Sequence, residues 1–313
     1  MNKVIVSAPA KVILSGEHAV VYGRPAIACA TQLRITCVVT HSNKIEIKKS
    51  LKPIYDLVLK TIKKEGHTII NEECSVKITS DIPVGRGLGS SGALSVVLSS
   101  ALYTFLTEKI PDKEYINSLA YQVEKHFHGN PSGIDNSTSC FGGLIYFRKE
   151  FEFLKNISSL GFKIPNNIEQ KLFLIDSGKS VESTLEMVQL VGRRYNEDPE
   201  RMEKIMYSIE KFTKRLVISI VKEDVVLFES TLKDIQNKLE EMGVVSDKTK
   251  KIIQLLNTFG TGKVTGAGGV IDGSGFVLFF TTDQEGLIQF LNEQKIPYYQ
   301  FKQDTRGVEI ICE

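Results

Sequence analysis

Polar and apolar residues alternate over 34–40 (Arg-Ile-Thr-Cys-Val-Val-Thr) and over 74–80 (Cys-Ser-Val-Lys-Ile-Thr-Ser). That period of two is what a half-buried strand requires. Shorter runs of the same kind predict strands over Val4–Ser7 and Lys11–Ser15, either side of Pro9. Another is predicted over Lys44–Lys48, paired with 34–40 across a Ser-Asn turn. Apolar positions take helical spacing over 53–64 (Ile54, Leu57, Val58, Ile62) and over 89–107, an Ala-, Leu- and Val-rich segment. A further helix is predicted over 112–125, with Asp112 as N-cap and Ile116, Leu119, Ala120 and Val123 as its core face. A strand at 143–147 follows. Strands and helices mix without a regular βαβ repeat, so the predicted class is α+β.

The pattern loosens over 151–170, which predicts a lobe boundary dividing the chain into 1–165 and 166–313. A strand at Leu172–Asp176 opens the second half. Helices are predicted near 180–195, 198–221, 225–242 and 246–258. Strands at 260–265 and 276–280 flank a Gly-rich turn; a helix (285–293) and two strands (297–301, 307–312) complete the reading. No internal repeat or low-complexity tract is evident.

Composition narrows the function classes. The chain has 313 residues, 42% apolar and 24% charged, as a globular protein with a sizeable core does. Net charge is +2 with no basic stripe, so nucleic acid is not an expected partner. Lys60–Lys64 reads as a solvated helix face. Five scattered cysteines without a Cys-x-x-Cys pair fit free thiols in a reducing cytoplasm. No apolar run reaches the roughly 20 residues of a membrane helix, and the first residues lack a signal-peptide core, so no membrane partner is expected.

The candidate chemistry lies in three glycine-dense segments. Pro83-Val-Gly-Arg-Gly-Leu-Gly-Ser-Ser-Gly92 runs from a predicted strand into a helix whose first turn carries Ser90 and Ser91. Such a helix start offers free N–H groups and a positive dipole end to a phosphate. A plain Gly-Ser cap would need one serine and no such run of glycines. Residues 129–143 place a single acid, Asp135, among the breakers Gly129, Pro131 and Gly133. Thr265-Gly-Ala-Gly-Gly269 is the third segment. Phosphate cradles with one loop carboxylate point to phosphoryl transfer to a hydroxyl. Gly87–Gly92 also fits the dinucleotide fingerprint, but a second helix follows where a Rossmann unit needs a strand. A Walker A loop is absent: Phe173 stands where the first glycine before Gly178-Lys-Ser180 must be, and Val264 follows Gly262-Lys263.

Three segments in order carry a resemblance: Ser7–Gly23 (Ser-Ala-Pro-Ala-Lys-Val-Ile-Leu-Ser-Gly-Glu-His-Ala-Val-Val-Tyr-Gly), Pro83–Ala93 and Lys263–Gly269. Together they resemble the GHMP kinases, whose members act on galactose, homoserine, mevalonate and phosphomevalonate, over nearly the whole chain. Gly16–Gly23, and Glu124 followed by His128–Asp135, bring the likeness nearest to the members acting on mevalonate. The resemblance implies a two-lobed fold: a first lobe like ribosomal protein S5 domain 2, a ferredoxin-like second lobe, and the site between them. It also implies ATP and Mg²⁺, phosphorylation of the 5-hydroxyl of mevalonate as small-molecule substrate, and a homodimer. The third motif departs from the family pattern after Gly269, reading Val270-Ile-Asp-Gly-Ser-Gly275.

On that resemblance Asp135 is the expected general base and Lys11 its partner, lowering the hydroxyl's pKa and stabilising developing charge. Outside the motif, Asp135 reads as an Asx-turn acid and Lys11 as a strand-end lysine. Ser91 and Glu124 are the expected metal ligands, since Mg²⁺ prefers hard oxygens. Pro83, Gly85, Gly87, Leu88, Gly89, Ser90, Ser91, Gly92 and Ala93, with Gly266, Gly268 and Gly269, are the expected nucleotide-binding residues. Glu17, His18 and Thr184 are expected to face the substrate; a satisfied structural histidine is the alternative for His18. Glu124, His126 and His128 lack a third nitrogen or sulfur ligand for zinc. A kinase for another alcohol, such as phosphomevalonate, and a non-catalytic sensor on the same fold are the competing readings. A sensor would be expected to lack one of Lys11, Ser91, Glu124 and Asp135, and all four are present.

Overall fold

The computed structural model describes residues 1–128, 131–151 and 154–313. Gly129 and Asn130 lie outside the described residues, as does the side chain of His128. Two antiparallel sheets organise the chain. The first contains β1 (Lys3–Ser15), β2 (Ala26–His41), β3 (Cys74–Ser80), β4 (Leu144–Phe151), β5 (Leu154–Leu160) and β10 (Glu309–Cys312). Its order is β10-β1-β2-β4-β5, and β3 pairs with the C-terminal half of β2 while β4 pairs with the N-terminal end. Helices α1 (Lys52–Lys64), α2 (Ser90–Thr107), α3 (Lys113–His128) and α4 (Ile134–Phe141) accompany this sheet.

The second sheet holds β6 (Leu172–Asp176), β7 (Gly260–Val264), β8 (Phe276–Thr281) and β9 (Tyr298–Gln300) in the order β7-β8-β6-β9. A short helix, α5 (Asn166–Glu169), precedes it. Four helices join β6 to β7: α6 (Thr184–Glu197), α7 (Pro199–Val221), α8 (Val225–Met242) and α9 (Asp247–Leu256). Helix α10 (Gln284–Glu293) joins β8 to β9. Counting strands along this segment, the spatial order is two-three-one-four, that of a split βαβ, ferredoxin-like sheet. The α+β class is borne out. The last strand, β10, returns to the first sheet and pairs with β1.

Helix α2 is the centre of the first core. It is buried from Gly92 to Thr107 except at Leu94, so it needs no polar face. It is also the one helix among the described residues long and apolar enough to cross a membrane, and 83% of it is buried inside the protein, as befits a core helix.

Several predicted elements need correction. Pro9 does not divide two strands: β1 runs through it, with a register shift at Pro9/Ala10. Residues 44–48 form no strand; Glu46 makes only an isolated parallel bridge to Ser75. The stretch after 151 contains β5, an edge strand paired with β4. Asp135 belongs to a helix, α4, instead of a loop.

Candidate active site

The loop from β3 to α2 has left-handed φ at every second residue: 71° at Gly85, 84° at Gly87 and 69° at Gly89. Alternation of this kind turns successive N–H groups to one side and makes an anion-binding concavity. Gly89 is the N-cap of α2 and supplies no capping side chain, so the first-turn N–H groups stay available to a bound anion. A phosphate therefore fits this loop on geometry as well as dipole.

The glycines are also the contact points between motifs. A Cβ on Gly87 would lie 2.7 Å from the Thr265 carbonyl oxygen, and one on Gly266 2.9 Å from that of Gly87. The second and third motifs thus meet backbone to backbone. A Cβ on Gly89 would lie 2.7 Å from Cγ of Lys11, and one on Gly92 2.8 Å from Cβ of Asp135. Side chains at these places would push the lysine and the acid away from the start of α2.

Lys11 reaches this point because of the irregularity in β1. Between Pro9 and Ala10 the partner residue jumps from Arg34 to Thr31, a bulge that re-aims the strand. Lys11 N–H then donates to the Leu88 carbonyl at 3.0 Å, which docks β1 on the phosphate loop. Its Nζ lies 3.1 Å from Oδ1 of Asp135. The lysine side chain is 4% exposed and that of the aspartate 36%. Asp135 occupies the first turn of α4, where the helix dipole favours its negative charge.

Glu124, on α3, is buried, and its Oε1 accepts hydrogen bonds from the hydroxyls of Ser91 and Ser95, each at 2.7 Å. Ser95 was not anticipated. It stands one helical turn after Ser91, and that spacing places both on one face of α2.

Glu17 and His18 follow the end of β1. Both are buried and turned toward partners within the protein. Glu17 is ion-paired with Lys263 of β7, whose Nζ also donates to the Ile13 carbonyl at 3.0 Å. Burial raises the Glu17 pKa against the pull of Lys263 and lowers that of Lys263. The neighbouring Thr265 hydroxyl accepts the Ile13 N–H at 2.8 Å, so the first and third motifs are laced together here. His18 has left-handed φ, 57°, and its Nε2 lies 2.9 Å from the Ala267 carbonyl oxygen. Burial pushes its pKa down to about 4, with that hydrogen bond opposing; the neutral ring donates to Ala267. Glu17 Oε2 is buried with no hydrogen-bond partner among the described residues.

The atypical continuation of the third motif has a clear course. Gly268 and Gly269 pack on Val244 and Ser180, and Gly266 meets the phosphate loop at Gly87. Buried hydroxyls of Ser177, Thr249 and Ser274 hold the next turn: Ser274 N–H donates to Thr249 at 3.1 Å and to Ser177 at 3.2 Å. Glu182 accepts the N–H groups of Val270 (3.1 Å) and Ile271 (3.0 Å). Burial works to raise the Glu182 pKa, but hydrogen bonds from backbone N–H groups and the Ser180 hydroxyl outweigh it and lower it. Thr184 is exposed at the start of α6, two residues from this tie.

An anion cradle that opens beside a lysine-backed, accessible carboxylate suits the transfer of a phosphoryl group to a hydroxyl, and the class of protein is that of the small-molecule kinases. Comparison with known proteins narrows it. Residues 52–143 match the model of the GHMP kinases N terminal domain. A mevalonate kinase from Pyrococcus abyssi is 34% identical over 301 residues, covering 85% of this chain and 86% of the relative. Among solved structures, the Methanococcus jannaschii mevalonate kinase has a TM-score of 0.78 at 23% identity, covering 96% of this chain and 98% of that one. The L. major mevalonate kinase in complex with R-mevalonate has a TM-score of 0.77 at 20% identity, covering 96% and 95%. At such identities the two structures show a shared fold. The chain belongs to the GHMP kinase family, and by sequence it stands with the mevalonate kinases.

Proposed function

We propose that the protein transfers the γ-phosphoryl group of ATP to the 5-hydroxyl of mevalonate. The observation that carries this reading is the Lys11–Asp135 pair, 3.1 Å apart against the first turn of α2. The nucleotide's phosphates lie on the loop from Pro83 to Ala93 and against Gly266. The substrate hydroxyl approaches Asp135, whose carboxylate takes its proton as the oxygen attacks phosphorus; the bond to the β-phosphate oxygen breaks and ADP leaves. Lys11 holds Asp135 in place and neutralises charge building on the attacking and transferred oxygens. Thr184 lines the substrate side with Glu17 and His18, whose internal bonds also hold the first motif against the third.

Ser91 and Glu124 fit Mg²⁺: they are hard oxygen donors at the mouth of the cradle, with their oxygens 2.7 Å apart. When bound there, the cation supplies charge neutralisation for the phosphate oxygens. The same reading keeps the two-lobe division at 1–165 and 166–313, with β10 crossing back as an arm. It places the protein in the cytoplasm, as a homodimer, in a route that makes isoprenoids from mevalonate.

The test is ADP release with MgATP and mevalonate, phosphomevalonate, homoserine or galactose. Turnover with mevalonate and little with the others is expected. Turnover only with another alcohol would move the specificity, and ADP binding without turnover on any would favour the sensor.

A further inference from the structure

Near the phosphate loop, several charged groups are taken up in pairs, while Lys179 has no such partner among the described residues. Arg86, within the loop, is ion-paired with Asp176 at the end of β6; that carboxylate also accepts the Gly178 N–H at 2.9 Å. Lys248 is paired with Asp272 at 2.8 Å. Glu182 is occupied by the N–H groups of Val270 and Ile271 and by the Ser180 hydroxyl. Lys179, in the same connection between β6 and α6, is exposed and makes no ion pair or hydrogen bond among the described residues.

The Lys179 side chain nevertheless has a defined course. A Cβ on Gly85 would lie 2.8 Å from its Cε, 3.5 Å from Cδ and 3.6 Å from Cγ. Three successive methylenes therefore lie across one glycine of the cradle. The backbone that carries them is fixed, because the Gly178 carbonyl accepts the Gly275 N–H at 2.9 Å and Gly178 packs against Gly273. Laying a lysine along a surface costs rotamer entropy, and here no carboxylate holds it. An ammonium carried on a shaft that crosses a glycine of the anion cradle is suited to meet a phosphate held there by the loop's N–H groups.

We propose that Lys179 binds the nucleotide, its ammonium meeting a phosphoryl oxygen of a phosphate held by the loop amides. This rests on the kinase reading above and adds a residue from the β6–α6 connection to a cradle built by the loop from β3 to α2. Gly85 is then needed partly to let the lysine cross.

Lys179→Met keeps the methylene shaft and removes the charge; Lys179→Arg keeps the charge. Equilibrium binding of ADP and of adenosine separates phosphate contact from contact with the rest of the nucleotide. Lys179→Met should weaken ADP about 10-fold and leave adenosine unchanged, as the loss of one charge-assisted hydrogen bond predicts. Lys179→Arg should restore most of the ADP affinity, and the difference should shrink at high salt. Unchanged ADP affinity in Lys179→Met would overturn the proposal, as would equal losses for ADP and adenosine, which would mark a packing effect. Failure of the unaltered protein to bind ADP at all would instead overturn the kinase reading, and this proposal with it.

Discussion

Two lysine–carboxylate pairs lie near the end of β1 and are built in opposite ways. In Lys11–Asp135 the lysine is 4% exposed and the carboxylate 36%, so one partner still meets solvent or a substrate. In Lys263–Glu17 the exposures are 0% and 1%. A sealed pair is costly in desolvation and gains its Coulomb energy only while both partners stay in place. It cannot exchange a proton with a ligand without opening the joint between the first and third motifs. The half-open pair keeps a buried cation next to an accessible base, which is the arrangement proton abstraction requires. Proximity in sequence therefore does not imply a shared environment: position 11 meets an accessible carboxylate, and position 17 is buried against Lys263.

Breaking the sealed pair should have the largest effect on stability. Lys263→Met leaves Glu17 buried without its cation and should cost about 3–5 kcal/mol in urea unfolding. Adding Glu17→Leu to that variant should recover most of the loss, since an apolar pair removes the stranded charge. Wild-type stability in Lys263→Met would mean the pair is not the joint described.

The histidine beside that joint sharpens the contrast through pH. His18 has an ordinary pKa of 6.5 and about 4 in the fold. Between those values the unfolded chain binds more protons, so stability rises with pH through this window and is complete above it. Moving from about pH 7 to about pH 5 should cost about 2 kcal/mol through this group. His18→Gln, a neutral donor to Ala267, should flatten that part of the acid limb. Unfolding midpoints measured at both pH values in the two proteins check it; parallel losses would assign the acid limb elsewhere.

The legibility of the chain followed how local each cause was. Strands β3 and β6 match their predicted bounds because short alternating or fully apolar runs mark them. Helix α2 was legible from its Ala, Leu and Val content. Helix α4 was not: Asn136, Ser137, Thr138 and Ser139 are poor helix formers. Its helix rests on tertiary partners, including Asn136 bonded to Asn117 at 2.7 Å and the close approach allowed at Gly92. Strand β5 escaped notice because an edge strand with Asn156, Ser158 and Ser159 carries little alternation. Motif spacing pointed to Lys11, Asp135, Ser91 and Glu124, which the fold brings to one end of α2. It said nothing of how Glu17 and His18 turn, because their partners Lys263 and Ala267 lie some 250 residues away. Ser95 could have been found from its helical spacing to Ser91.

The most direct test of the account is the single-turnover rate of phosphoryl transfer from MgATP to mevalonate in Asp135→Asn, with ADP affinity and unfolding measured on the same sample. The rate should be lower by about 100-fold or more, with ADP affinity and stability near those of the unaltered protein. A rate within a few-fold of the unaltered protein's would contradict it and move the base elsewhere.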